Sequence, residues 1–94
     1  MIRVTCEPRR VVLEGHAGYA PKGSDIVCAA VSMLVYVQFH LLEEQGLLER
    51  SVMRPGYVEL SAREGGEVKV LALGMRMLAQ EYPRCVTVAA DDGV

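Results

Sequence analysis

The sequence predicts an α+β two-layer sandwich: a mostly antiparallel sheet carrying two helices, in the order ββαββαβ. Three observations predict it. Short stretches with strand-like alternation of apolar and polar residues come in pairs, and each pair is joined by a turn signal. A segment with helical character follows each pair. No repeat, linker or low-complexity tract divides the chain, so its 94 residues (1-94) are expected to form a single domain near the lower end of what folds alone.

Ile2, Val4 and Cys6 alternate with Arg3, Thr5 and Glu7, the period of a half-buried strand with Cys6 on its core face. Pro8-Arg9-Arg10 turns the chain, and Val11 to Gly15 continues as the second arm of a hairpin. Ala17 to Gly23 contains two glycines and a proline and is expected to be a loop. Ser24 suits an N-cap and Asp25 the positive end of a helix dipole, so a helix is expected from Asp25 to about Glu44, closing near Gly46. Leu48 to Arg54 and Tyr57 to Ala62 flank Pro55-Gly56, a natural centre for a type II turn. Val68, Leu71, Ala72, Met75, Leu78, Ala79 and Tyr82 recur at helical spacing until Pro83. Val86 to Ala89 reads as a last strand, entered through a core Cys85 and followed by a tail, Asp91 to Val94.

Composition narrows the function classes. The formal charge is -2 and the ten Lys and Arg residues are scattered, which argues against direct nucleic-acid binding. Met1 leads straight into a strand without the basic and apolar regions of a signal peptide. Three cysteines without paired spacing make no disulfide framework and point to a reducing, cytoplasmic compartment. From Ile26 to Leu42 the chain is almost continuously apolar. It is shorter than the about 20 residues of a bilayer span and is broken by Ser32, Gln38 and His40. It is therefore expected in the core or against a second copy, with no membrane partner, and His40 is read as a surface or interface residue. Cys6, His16, Cys28, His40 and Cys85 show no grouped ligand spacing, so no metal or other cofactor is expected.

The chemistry gathers around the first long loop. Cys28 falls at the fourth position after Ser24, where unpaired backbone N–H groups and the helix dipole favour negative charge. The thiolate is the form of cysteine that attacks a carbonyl. His16 closes the preceding strand twelve positions earlier, and the glycine-containing segment between them can fold back to form a Cys–His pair. Spacing nominates this pair without deciding it, because a cysteine in Ile26-Val27-Cys28-Ala29-Ala30-Val31 is ordinarily a small core residue.

The run Gly15-His16-Ala17-Gly18-Tyr19-Ala20, followed by Gly23-Ser24-Asp25-Ile26-Val27-Cys28-Ala29-Ala30-Val31-Ser32, closely resembles the signature of the bacterial ribosomal-processing cysteine proteases, the Prp family. The resemblance implies a cysteine endopeptidase with His16 and Cys28 as its catalytic pair. It implies a substrate that is the N-terminal extension of a large-subunit ribosomal protein. It further implies a homodimer whose flexible loop, Ala17, Gly18, Tyr19, Lys22 and Gly23 among its residues, helps admit the peptide.

Around the pair several roles stay open. Backbone N–H groups at or near Cys28 are natural oxyanion donors. Asp25 either orients His16 or favours the helix start. Ser32, one turn after Cys28, bonds either within the site or back to its own helix. Gly15 and Gly18 permit backbone shapes or a close approach that a side chain would block. Tyr19 stacks on substrate or anchors the loop, and Lys22 contacts the peptide or is simply solvated. The competing class is a non-catalytic ribosome-associated interaction module that docks through the apolar helix and keeps Cys28 in its core. A thiol redox role lacks a second cysteine near Cys28.

Overall fold

In the computed structural model, which describes residues 1–18 and 25–89, the chain runs β1 (Ile2–Glu7), β2 (Arg10–Glu14), α1 (Ile26–Gln45), β3 (Leu48–Arg54), β4 (Tyr57–Ala62), α2 (Lys69–Glu81) and β5 (Val86–Val88). The α+β class and the order ββαββαβ agree with the sequence. The strands form one five-stranded sheet, β3-β4-β2-β1-β5. It is antiparallel throughout except at one edge, where β5 lies parallel to β1 with Ile2 opposite Val86. The tail from Asp91 to Val94 lies outside the described residues.

Alternation in β1 buries Ile2, Val4 and Cys6 and exposes Arg3, Thr5 and Glu7. Register carries that face across the sheet: Val4 pairs with Leu13, Cys6 with Val11, and Val11 with Leu60. The helices cover this face in one core. Val11, Leu42, Leu60, Leu71 and Met75 are completely buried, and full burial of a large apolar side chain is worth roughly 1.5–3 kcal/mol. Cys85 is buried there as well.

α1 has the length and hydropathy of a membrane span, 20 residues at a mean hydropathy of 1.7. A stripe of Val27, Val31, Val35, Gln38 and Leu42 is buried, while Met33, Tyr36 and Val37 are exposed. The helix closes at Gly46, in the left-handed region at φ +70°, whose N–H donates to the Leu42 and Glu43 carbonyls.

Gln38 looks in sequence like a polar interruption of an apolar helix, yet it is 1% exposed. α2 begins at Val68, which offers no side-chain cap. Gln38 supplies one from the neighbouring helix: its Oε1 accepts from Leu71 N–H at 3.1 Å, and its amide donates to the Glu67 carbonyl at 3.2 Å. The helices also meet at Gly74, where an added Cβ would come within 2.5 Å of Leu34 Cδ1.

The opposite sheet face carries a polar cluster. Alternation marks Glu59 as a solvent-facing strand residue, but it is 9% exposed because donors from three strands converge on it. Arg10 Nε lies 3.2 Å from its carboxylate, Arg50 Nε 3.6 Å, and the Tyr57 hydroxyl donates at 3.0 Å. The Arg10 hydrogen bond, followed by that from Tyr57, holds the Glu59 carboxyl below the usual carboxylate value, and the same contacts raise Arg10 and Tyr57.

Two measurements check these polar ties. Gln38→Met keeps the volume but strands a buried N–H and a carbonyl, and should lower unfolding free energy by about 1–3 kcal/mol in urea titration. Because the folded value of Glu59 is depressed, its contribution to stability is present above its ordinary value of 4.5 and is lost as pH falls through the folded value. Glu59→Gln should therefore flatten the dependence of unfolding midpoint on pH between about pH 6 and about pH 3.

Candidate active site

Asp25 starts α1. Its backbone is extended (φ −83°, ψ 99°), and its carboxylate Oδ1 accepts from the N–H groups of Val27 and Cys28, each at 3.0 Å. Ser24, the cap that the sequence suggests, lies outside the described residues; Asp25 takes the capping place. Cys28 is accordingly the third helical residue, counted from Ile26, with Asp25 rather than Ser24 as its reference. Of the backbone N–H groups at or near Cys28 that the sequence offers as oxyanion donors, those of Cys28 and Ala29 are engaged within the helix start. A carboxylate so close in the chain already occupies the Cys28 N–H, and the next amide, Ala29 N–H, donates to the Asp25 carbonyl at 3.2 Å. Of the two roles open to Asp25, holding the helix start is the one these contacts display.

His16 comes from the sheet. β2 pairs with β4 so that Glu14 sits opposite Tyr57, and the ladder gains one more bond, Gly15 N–H to the Gly56 carbonyl at 2.9 Å. Gly15 has φ +100°, and a Cβ there would collide with the Met1 carbonyl oxygen. This run carries His16, an exposed residue, to the Pro55-Gly56 turn. Gly56 has φ +76°, the conformation that the third residue of a type II turn requires, and a Cβ on it would come within 3.2 Å of His16 Nε2. Glycine at this position serves both the turn and the imidazole.

His16 and Cys28 line the same cleft, of about 270 Å³. Ile2, Leu13, Val31 and Val58 give it apolar walls, and Ser32, Arg54 and Tyr57 add polar groups. Among the described residues no hydrogen bond joins the two side chains. Cys28 is half-buried, whereas Cys6 and Cys85 are buried, so Cys28 is the cysteine that opens on the cleft. Ser32 is exposed. His40 is distant in role: exposed, with Nδ1 3.2 Å from Glu43 Oε1 and its ring edge-on to Phe39. A larger cavity of about 440 Å³, between the β1–β2 turn and the start of α2, holds neither a cysteine nor a histidine. Among the described residues no three His, Cys, Asp or Glu side chains form a metal-holding group.

The loop is only partly in view. Ala17 is 3% exposed and packs in the core, so it is an anchor rather than a peptide-facing residue. Gly18 is exposed with φ +68°. Tyr19, Lys22 and Gly23 lie outside the described residues. The sequence does not bring Arg54, Gly56 and Tyr57 to the site. Their turn is readable as Pro55-Gly56, but its place beside His16 follows from the β2–β4 pairing, which joins segments far apart in the chain.

The fold and cleft together define a small two-layer α+β domain with a histidine and a helix-start cysteine opening on one apolar recess. The model of the family described as cysteine protease Prp matches residues 1–87. The chain belongs to that family of ribosomal-processing cysteine proteases. It is 28% identical to the ribosomal processing cysteine protease Prp of Mycoplasma pneumoniae over 92 residues, 93% of this chain and 92% of that one. The Mycoplasma genitalium protein of the same name is 44% identical over 36 residues, 38% of this chain and 36% of that one. Among solved structures, SMU.848 from Streptococcus mutans has a TM-score of 0.73 at 28% identity, covering 94% of this chain and 91% of that one. The S. aureus ribosomal processing protease Prp, in complex with a covalently linked product peptide, has a TM-score of 0.77 at 16% identity, covering 93% and 94%.

The cap is open to a direct check. Asp25→Ala should lower unfolding free energy by about 0.5–2 kcal/mol, read from the urea midpoint, while Asp25→Asn retains most of it because the amide oxygen accepts the same bonds.

Proposed function

We propose that this chain is a cysteine endopeptidase in which Cys28 is the nucleophile and His16 its base. The observation that carries this reading is that His16, just beyond β2, and the half-buried Cys28, in the first turn of α1, line one cleft. His16 takes the Cys28 thiol proton, the thiolate attacks the scissile carbonyl carbon, and the carbonyl π electrons move to oxygen. Collapse of that adduct expels the amine, which His16 protonates, and leaves a thioester. His16 then takes a proton from water, whose oxygen attacks the thioester and releases the acid and Cys28.

The substrate in this reading is the N-terminal extension of a bacterial large-subunit ribosomal protein. Support comes from the ribosomal processing named for the Mycoplasma relatives and from the peptides bound to the S. aureus protein. The full 1–94 chain acts as one protease domain in the cytoplasm, where ribosomal proteins are made. It works as a homodimer, a state supported by exposed apolar residues on both helices, Met33, Tyr36 and Val37 on α1 with Leu73 and Met77 on α2.

Incubation with a synthetic peptide spanning the leader junction, read by mass spectrometry, tests the reading. Wild type cuts once, Cys28→Ala not at all, and His16→Ala about 10²- to 10⁴-fold more slowly. Cleavage by Cys28→Ala at the wild-type rate refutes it. A non-catalytic module predicts no cleavage and a Cys28 inert to iodoacetamide, whereas the protease predicts selective labelling of Cys28 that depends on His16.

A further inference from the structure

Arg54, the last residue of β3, stands where two cavities join. It lines the cleft of His16 and Cys28, and it also lines a neighbouring cavity of about 270 Å³ bounded by Val35 and Tyr36 of α1 and Met53 of β3. Its guanidinium lies over the Tyr57 ring, 4.9 Å from the centroid. The ring is itself held, because the Tyr57 hydroxyl donates to Glu59. Arg10 and Arg50 converge on that carboxylate. Arg54 differs from them: among the described residues it makes no hydrogen bond or ion pair. The contact holds the guanidinium over the ring and, among the described residues, leaves its five N–H donors without a hydrogen-bond partner.

A peptide entering the cleft meets apolar walls, and each main-chain carbonyl taken out of water there needs a donor. Several nearby donors are already engaged, while Ser32 offers a single hydroxyl from the α1 side of the cleft. The amides of Val27 and Cys28 serve Asp25, that of Gly15 serves Gly56, and the Tyr57 hydroxyl serves Glu59. The geometry points to Arg54 as a substrate-contacting residue whose guanidinium donates to main-chain carbonyl oxygens of the peptide beside the scissile bond. Tyr57, tethered by Glu59, is its positioning residue. This inference rests on the protease reading above. Lysine is a poor substitute, since an ammonium neither stacks as a plane nor presents two parallel donors.

The test measures kcat and KM for wild type, Arg54→Leu, Arg54→Lys and Tyr57→Phe. The probes are two forms of the synthetic leader-junction peptide, with and without a glutamate within two residues of the cut. Arg54→Leu should lower kcat/KM by about tenfold to a hundredfold on both forms alike. Arg54→Lys should lose less, and Tyr57→Phe, which keeps the ring but not the tether, should show a smaller loss in the same direction. In the two Arg54 variants the melting temperature and the rate at which iodoacetamide labels Cys28 should stay at wild-type values. Undiminished kcat/KM in Arg54→Leu overturns the inference, as does a loss that tracks a lowered melting temperature or slowed labelling. A loss confined to the glutamate-containing peptide also overturns it, because the partner is then an acidic side chain. If Cys28→Ala cleaves as wild type does, the protease reading itself has failed; Cys28-dependent cleavage indifferent to Arg54 sinks this inference alone.

Discussion

The register of β2 against β4 governs the cleft. With Glu14 opposite Tyr57 and one further bond from Gly15 to Gly56, His16 emerges beside the Pro55-Gly56 turn. A slip of one residue would turn every side chain of β2 to the other face. Val11 and Leu13 would leave a core in which they pair with Leu60 and Val58, and Arg10 would leave Glu59. Apolar burial on one face and a converging set of charged and hydroxyl groups on the other thus enforce the same register. The imidazole inherits its position from interactions made several residues away.

Cys28 is held by a separate set of constraints. Asp25 fixes where α1 begins, and the buried stripe of Val27, Val31 and Val35 fixes the rotation of the helix on the sheet. Farther along, Gln38 and the close approach of Leu34 to Gly74 tie α1 to α2. Cys28 sits at the end of a braced lever, and His16 just beyond the end of a hydrogen-bonded ladder. The two arms share the core, and its edge forms the apolar walls of the cleft.

What the sequence discloses is local. Both strands flanking Pro55-Gly56 are bounded to the residue, because alternation and turn chemistry act over neighbouring positions. The start of α1 is legible to within one residue, since Ser24 and Asp25 are both good caps and only coordinates show which side chain reaches the Val27 and Cys28 amides. The parallel direction of β5 and the pairing of β2 with β4 join distant segments and leave no periodic trace. Gln38 and Glu59 mislead for one shared reason. Polarity marks a residue as outward until partners from other elements surround it, and those partners are remote in sequence. The outer and inner faces of α1 are equally opaque, because Met33, Tyr36 and Val37 are as apolar as the valines that are buried.

The same distinction divides the site. His16, Asp25 and Cys28 fall within one short run, so a local motif contains them. Arg54, Gly56 and Tyr57 arrive from a hairpin some forty residues beyond His16 and are invisible to it. Their presence changes what the helix start has to do. Once the Asp25 carboxylate takes the Val27 and Cys28 amides, the first turn of α1 supplies a sulfur and a direction but loses those two backbone donors. Across the cleft the β3–β4 turn stands against the imidazole and carries a cation over an anchored phenol ring, opposite the Ser32 hydroxyl of α1. The turn between Arg54 and Tyr57, which the sheet already needs, forms that wall of the cleft.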